Sequence, residues 1–296
     1  MATLRELKGR IGSVASSEKI TGAMKMISSA KMHKAEQALR RLKPYRDNIE
    51  AIIANLLSSD ATFASPLTEP RGDVRRATVV ILGSDDGLCG AYNVNISKAL
   101  SEHLGELDAL YGADTSYRII AVGRKMLKAA ERLASPGRIS VEAAPAYISA
   151  KSEGDDVKRL AAELQRSYVS GETDRIDIVY MGYISAGRQR VRAEQMLPLR
   201  TETFAASGTV SAKPYLFEPD AQTIFSTVLP MFLLAQAQDV FCENRASEQA
   251  ARVMAMQSAN DNAKKLLEQL QLEYNKLRQQ SITTELLDIV GGQVKQ

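Results

Sequence analysis

Helical periodicity runs through both ends of this chain and stops in the middle, which leaves few folds open to it. Between residues 3 and 57, Leu4, Leu7, Ile11 and Val14 follow 3-4-3 spacing. Ala35, Ala38, Leu42, Tyr45, Ile49, Ile52 and Leu56 take the spacing up again. That is the seam of a coiled coil, in which an apolar side chain returns to one face every 3.5 residues. From about Thr223 the chain is helical again, to roughly Ile289, where Gly291 and Gly292 are expected to stop it. About sixty residues at 1.5 Å each make a rod of roughly 90 Å, longer than a globular domain needs. The apolar face of that rod is sparse, since Leu266, Leu270, Leu277 and Leu287 share a seam with Ala263, Glu273, Gln280 and Thr284. Two long helices with weak seams are expected to pair with each other, antiparallel, as a shaft. Pro44 is expected to bend the first helix or divide it, and Pro230 to kink the second or lie in its first turn.

Between the helices the texture changes. Residues 58–76 carry Ser, Thr, Pro, Gly and alternating charges and read as a linker. Ala77–Leu82, Arg118–Val122, Ile139–Ile148 and Ile176–Tyr183 are β-rich runs. They alternate with helical stretches near 93–107, 124–134 and 153–169. This alternation predicts an α/β domain with a largely parallel, Rossmann-like sheet. Val191–Leu199 adds a further strand, placed at an edge because Pro198 stands at its end. The expected division is a shaft helix at 1–57, a linker at 58–76, an α/β foot at 77–221 and a second shaft helix at 222–296.

The total charge of +3 conceals an asymmetry: 11 basic and 3 acidic residues between Met1 and Arg46 make that segment +8 and leave −5 for the rest. A basic opening of this kind calls for an anionic partner: nucleic acid, lipid head groups or an acidic protein surface. The first helix also holds a stretch of small residues, among them Gly12, Ser13, Gly22, Ala23, Ser28 and Ser29. These suit either a tight enclosing sleeve or simply a thin helix–helix contact. The most apolar stretch, Val228–Ala235, is broken by Pro230 and is far short of the roughly 20 residues of a membrane span. The start lacks the pattern of a secretion signal and its apolar periodicity continues past the length of a transit peptide, so no leader is expected.

Two cysteines, Cys89 and Cys242, and two histidines, His33 and His103, build neither a disulfide scaffold nor an ordinary zinc site. Both histidines read as surface residues. Gly83, Gly87 and Gly90 follow the first strand, where a dinucleotide fold keeps its phosphate loop. Their spacing is not G-x-G-x-x-G, however, and Asp85 and Asp86 would repel a phosphate. A packing turn is the expected role, and no cofactor or metal is expected.

Three motifs carry a resemblance. Ile20-Thr21-Gly22-Ala23-Met24-Lys25-Met26 with Lys31-Met32 resembles the N-terminal signature of the gamma subunit of the F-type ATP synthase. Asp85-Asp86-Gly87-Leu88-Cys89-Gly90-Ala91-Tyr92-Asn93 is similar to its central motif. The run Ser247 to Ala263, with Arg278 to Glu285, is similar to its C-terminal signature. The match spans the chain in the right order.

The resemblance implies a non-catalytic rotor subunit of bacterial type, peripheral on the cytoplasmic face of the inner membrane. Its partners would be the alpha and beta subunits, the epsilon subunit and the c-ring, with no nucleic acid and no membrane span of its own. It implies rotor–stator contacts at Met24, Lys25, Arg278, Gln279 and Thr283. It also implies an apical bearing at Leu286, Leu287, Ile289 and Val290, and foot contacts at Arg41, Lys43 and Tyr45 or in the stretch Met196–Phe217. Read without it, Met24 is an ordinary packing methionine, Arg278 a solvated residue or a partner of Glu273 or Glu285, and the apolar end a frayed terminus. A nucleotide-dependent α/β enzyme and a basic coiled coil for polyanions are the competing classes.

Overall fold

The computed structural model describes residues 3–58, 63–112, 114–202, 204 and 217–293, the last six of these as helical backbone only. Helix α1 spans Leu4–Leu57. It opens on a capping box in which Thr3 N donates to Glu6 Oε2 at 2.8 Å and Glu6 N to Thr3 Oγ1 at 3.3 Å. Then follow β1 (Arg76–Leu82), α2 (Tyr92–Tyr111), β2 (Ser116–Val122), α3 (Arg124–Ala130), β3 (Ile139–Ala143), α4 (Asp155–Val169), β4 (Arg175–Ser185) and β5 (Arg188–Leu197). The last helix, α5, spans Ala221–Gln293. Asp220 caps it, its carboxylate accepting from Thr223 N at 2.8 Å.

Neither proline divides its helix. Pro44 lies inside α1, and Pro230, ten residues into α5, is well past the first turn. The carbonyl each one orphans, four residues back, belongs to Arg40 and Ser226, both exposed to water. Flanking side chains, Ile49 and Ile53 after Pro44 and Phe225, Leu229 and Leu233 around Pro230, hold the turns on either side in the core. Nor do Gly291 and Gly292 stop α5, which continues to Gln293. A helical glycine costs only about 1 kcal/mol, and without a cap it is not a terminator.

The chain forms two compact units: Met1–Ser29 with Arg252–Gln296, and Ala30–Ala251. In the first, α1 and α5 run antiparallel. Asn260 Nδ2 donates to Glu18 O at 2.7 Å and lies 3.3 Å from Thr21 Oγ1, while Leu7, earlier in α1, and Leu270, later in α5, are both buried. A Cβ on Gly22 would sit 3.4 Å from Asn260 Nδ2, an ordinary van der Waals contact, and Gly9 and Gly12 face open space, so none of these glycines is required for a close helix contact.

In the second unit the sheet order is β3-β2-β1-β4-β5. The first four strands are parallel, and β5 pairs antiparallel with β4 at the edge. β3 ends at Ala143, short of the expected Ile148, because Pro145 has no N–H for the ladder and Ile148 N turns back to Pro145 O at 2.7 Å. From Val79 to Leu82, β1 is fully buried, as a central parallel strand covered on both faces must be.

One face of the sheet packs Val80, Ile120 and Ile178 against α4 and against Ile53 of α1 and Phe225, Leu229 and Phe241 of α5. The other packs Val79, Ile81 and Ile119 against Ile96, Leu100 and Leu104 of α2 and Met126 of α3. An 18-residue window of α5 has mean hydropathy 1.4 and is half buried; Phe225, Leu229, Phe232, Leu233, Val240 and Phe241 belong to this core, while Met231 is exposed.

Candidate functional site

With α2 and α3 on one face and α4 on the other, the winding reverses between β1 and β4. In open α/β sheets the crevice beyond the carboxyl ends of those strands is the usual ligand site. Here a side chain of α5 fills it. Asn244, 1% exposed, accepts from Tyr92 Oη at 2.7 Å and from Met181 N at 3.2 Å through its Oδ1, and its Nδ2 donates to Gly83 O at 3.5 Å.

The glycine loop packs as closely. A Cβ on Gly83 would meet Met126 Cβ at 2.7 Å, and one on Gly123, at φ +99°, would meet Ser84 O at 2.9 Å. Asn93 fastens the loop, accepting from Ser84 N at 3.1 Å and donating to Ser84 Oγ at 2.8 Å. Asp86 pairs with Arg124 Nη2 at 3.4 Å and Lys151 Nζ at 3.3 Å.

Around Asn244 the same stretch of α5 meets other elements through charge. Asp239 takes an ion pair from Arg46 of α1, which also reaches Glu50 at 3.3 Å. Glu243 accepts from Tyr183 N at 3.1 Å and lies 3.5 Å from Arg192 of β5. Gly182 leaves room for that pair, since a Cβ there would sit 2.6 Å from Arg192 Nε. Arg245 pairs with Glu153, just before α4. Burial pushes the carboxyls of Asp239 and Glu243 above their ordinary range despite the nearby arginines. Glu36 of α1 is held below its ordinary range by the hydroxyl of Tyr183, which donates to it. Periodicity reasoning missed this group of polar residues; only Tyr92 lay in a motif already singled out.

The residues singled out by resemblance lie on the two long helices. Met24 and Lys25 are half-buried, beside the exposed Ile20, Met26 and Ile27. Arg278, Gln279 and Thr283 are exposed, and Arg278 has no ion pair among the described residues, to Glu273, Glu285 or any other. Leu286 and Leu287 are exposed, 57% and 66%. The side chains of Ile289 and Val290 lie outside the described residues. Arg41, Lys43 and Tyr45 are exposed on α1, and Arg41 borders a cavity of 260 Å³ with Glu153, Phe241 and Cys242. Of the eleven cations before residue 47, Arg46 is the one in an ion pair among the described residues.

One histidine departs from expectation. His33 is exposed, but His103 is buried in α2, with its Nε2 3.7 Å from Asp177 Oδ2 and its Nδ1 3.5 Å from Glu106 Oε2. Leu100, Leu104 and Leu107 carry that face of α2 into the core and take His103 with it. Asp177 is itself fully buried and held bidentately by Arg175 at 2.7 and 2.8 Å. Cys89 is buried as expected of a small core residue, and burial pushes the Cys242 thiol up to about 11, away from reactivity.

A largely parallel five-stranded sheet whose switch-point crevice is filled by a side chain of a long C-terminal helix is the architecture that the described residues of this chain define. Its fold is similar to the mitochondrial ATP synthase of Euglena gracilis, with a TM-score of 0.65 at 22% identity, covering 98% of this chain and 93% of that one. It is also similar to the central stalk and c-ring structure of the Tetrahymena thermophila enzyme, with a TM-score of 0.57 at 18% identity, covering 81% and 99%. The ATP synthase family model matches residues 3–294. The ATP synthase gamma chain of Bacteroides thetaiotaomicron is 39% identical over 305 residues, covering all of both chains. That of Chromobacterium violaceum is 35% identical over 292 residues, covering 99% of both. The chain belongs to the ATP synthase gamma family.

Proposed function

We propose that this chain is the rotor shaft of a proton-translocating ATP synthase, without catalytic activity of its own. It couples rotation of a membrane c-ring to conformational change at three beta subunits, as a peripheral subunit on the cytoplasmic face of a bacterial inner membrane. The observation that carries this reading is the end of α5. Leu270 is the last buried residue described, yet the helix continues to Gln293 with Ile282, Leu286 and Leu287 exposed and Arg278 without an ion pair among the described residues. Most helical stability in proteins comes from tertiary packing, which this exposed end lacks, so it calls for an enclosing partner. A ring of alpha and beta subunits supplies that enclosure.

In this reading Arg278, Gln279 and Thr283 meet a beta-subunit loop, the arginine's planar fork suiting carboxylates. Leu286, Leu287, Ile289 and Val290 turn in an apolar collar, where side chains without directional hydrogen bonds suit a bearing. Met24 and Lys25, with the cations of α1 that precede them (Arg5, Lys8, Arg10 and Lys19), face acidic surface on the ring. Arg41, Lys43 and Tyr45 meet the epsilon subunit or the c-ring. The shaft drives catalysis only through its different contacts with each beta subunit, since a ligand shifts an equilibrium by no more than its differential affinity. The test is reconstitution with alpha and beta subunits: a stable complex whose ATP hydrolysis rises on adding the chain is expected, and failure to assemble would overturn the reading.

A further inference from the structure

A rotor that carries torque needs a place where the body receiving it grips the shaft, and the sheet's switch-point crevice has the geometry for that grip. Four side chains within about two turns of α5 fasten it to other elements, one to α1 and three to the foot. Asp239 pairs with Arg46 of α1. Glu243 accepts from the backbone of β4 at Tyr183, 3.1 Å away. Arg245 pairs with Glu153 before α4. Asn244 is the centre: it spans the ends of β1 and β4 and takes the hydroxyl of Tyr92 from α2 at 2.7 Å.

The bonds of Glu243, Asn244 and Arg245 to the foot approach the helix from several directions, so rotation of the foot about the helix axis strains these together. Apolar contacts alone would resist such slip weakly, because dispersion is nondirectional and a buried leucine can trade one neighbour for another. Buried hydrogen bonds to a carboxamide cannot be exchanged without leaving donors unmet.

We propose that Asn244, held by Tyr92 and flanked by Glu243 and Arg245, is a positioning residue that locks the α/β foot to α5 against torque, in the crevice where related sheets hold a ligand. The proposal rests on the rotor reading. It separates two activities: hydrolysis by the catalytic ring needs the shaft, whereas proton pumping needs the shaft and this joint.

The experiment uses the whole synthase in inverted membrane vesicles, with ATP hydrolysis and ATP-driven proton uptake measured at matched amounts of the chain. Asn244→Ala is expected to leave hydrolysis by the released catalytic sector near wild type and to lower protons taken up per ATP at least about twofold, the scale on which losing one buried hydrogen bond acts. Tyr92→Phe, which removes a single hydroxyl, is expected to fall between, and it carries the test if Asn244→Ala does not assemble. An unchanged ratio of uptake to hydrolysis in the variants that assemble would overturn the proposal. So would loss of both activities in proportion, which is what a merely structural residue gives. Wild-type vesicles that hydrolyse ATP without taking up protons would instead overturn the rotor reading, and this joint with it.

Discussion

At the scale of single residues, the buried acids on α5 act against the usual expectation that a paired carboxylate stabilises. The ordinary values are 3.8 for Asp239 and 4.5 for Glu243, and burial raises both in the fold. A raised carboxyl contributes stability that is fully present below its unfolded value and is lost as pH rises through its folded value. Glu243→Gln, which imitates the neutral acid and keeps an acceptor for Tyr183 N, is therefore expected to gain melting temperature relative to wild type as pH rises from 4 to 8. Thermal melts at the two pH values check this, and a variant that loses ground at pH 8 would show the carboxylate to be net stabilising.

A second prediction at this scale concerns the tip of α5. Arg278→Ala is expected to uncouple the assembled complex more than Leu287→Gln, because a directional charged contact is lost in one case and a slippery wall merely roughened in the other. Equal loss of proton pumping per ATP from both would contradict it.

At the scale of elements, the long helices run on through both prolines, where local rules allowed a bend or a division at Pro44 and a kink or a helix start at Pro230. Pro44 survives inside α1 because its orphaned carbonyl, on Arg40, faces water and the turns beyond it are anchored by Ile49 and Ile53. Since the helix already has the geometry alanine prefers, Pro44→Ala is expected to stabilise the chain by about 1–3 kcal/mol, measured by urea unfolding. A loss of stability would mean that the proline is relieving strain in α1. The strands were legible from their β-rich runs, and the edge position of β5 from Pro198. The end of β3 was misread because Tyr147 and Ile148 look like strand residues while Pro145 has already removed the ladder donor. His103 was misread too: one polar residue on an otherwise apolar face of α2 goes where its neighbours go.

At the scale of the whole molecule, the charge asymmetry is a statement about association. Ten of the eleven N-terminal cations have no ion pair among the described residues; Arg40 acts on Glu36 and Lys43 on Asp239 from farther away, and most of the positive charge of α1 is left facing outward. Assembly with an acidic ring is then expected to be steered, its association rate falling about tenfold or more between 50 and 500 mM salt while dissociation changes less. Stopped-flow mixing with alpha and beta subunits measures this, and a salt-independent rate would remove the electrostatic role assigned to α1. The same surface makes the polyanion-binding alternative testable, since heparin competing away the subunits only at low salt is the signature of nonspecific charge.

What the sequence determined by itself was everything that repeats or is local: two helices from their spacing, a parallel sheet from its alternating runs, an exposed basic segment from its count of charges, and a family from three ordered motifs. These are legible because a periodicity of 3.5 or 2 dictates which residues share a face, whatever they later touch. Only the tertiary structure decided what fills the crevice between β1 and β4. Asn244 is one polar residue in a helix of 73, with nothing in its neighbours to mark it. Its partners Tyr92, Met181 and Gly83 stand far from it in the chain and meet it only once the sheet has wound and α5 has crossed its end. The physical reason is that a hydrogen bond is a relation between two positions in space, and no pattern along one helix encodes the position of the other partner.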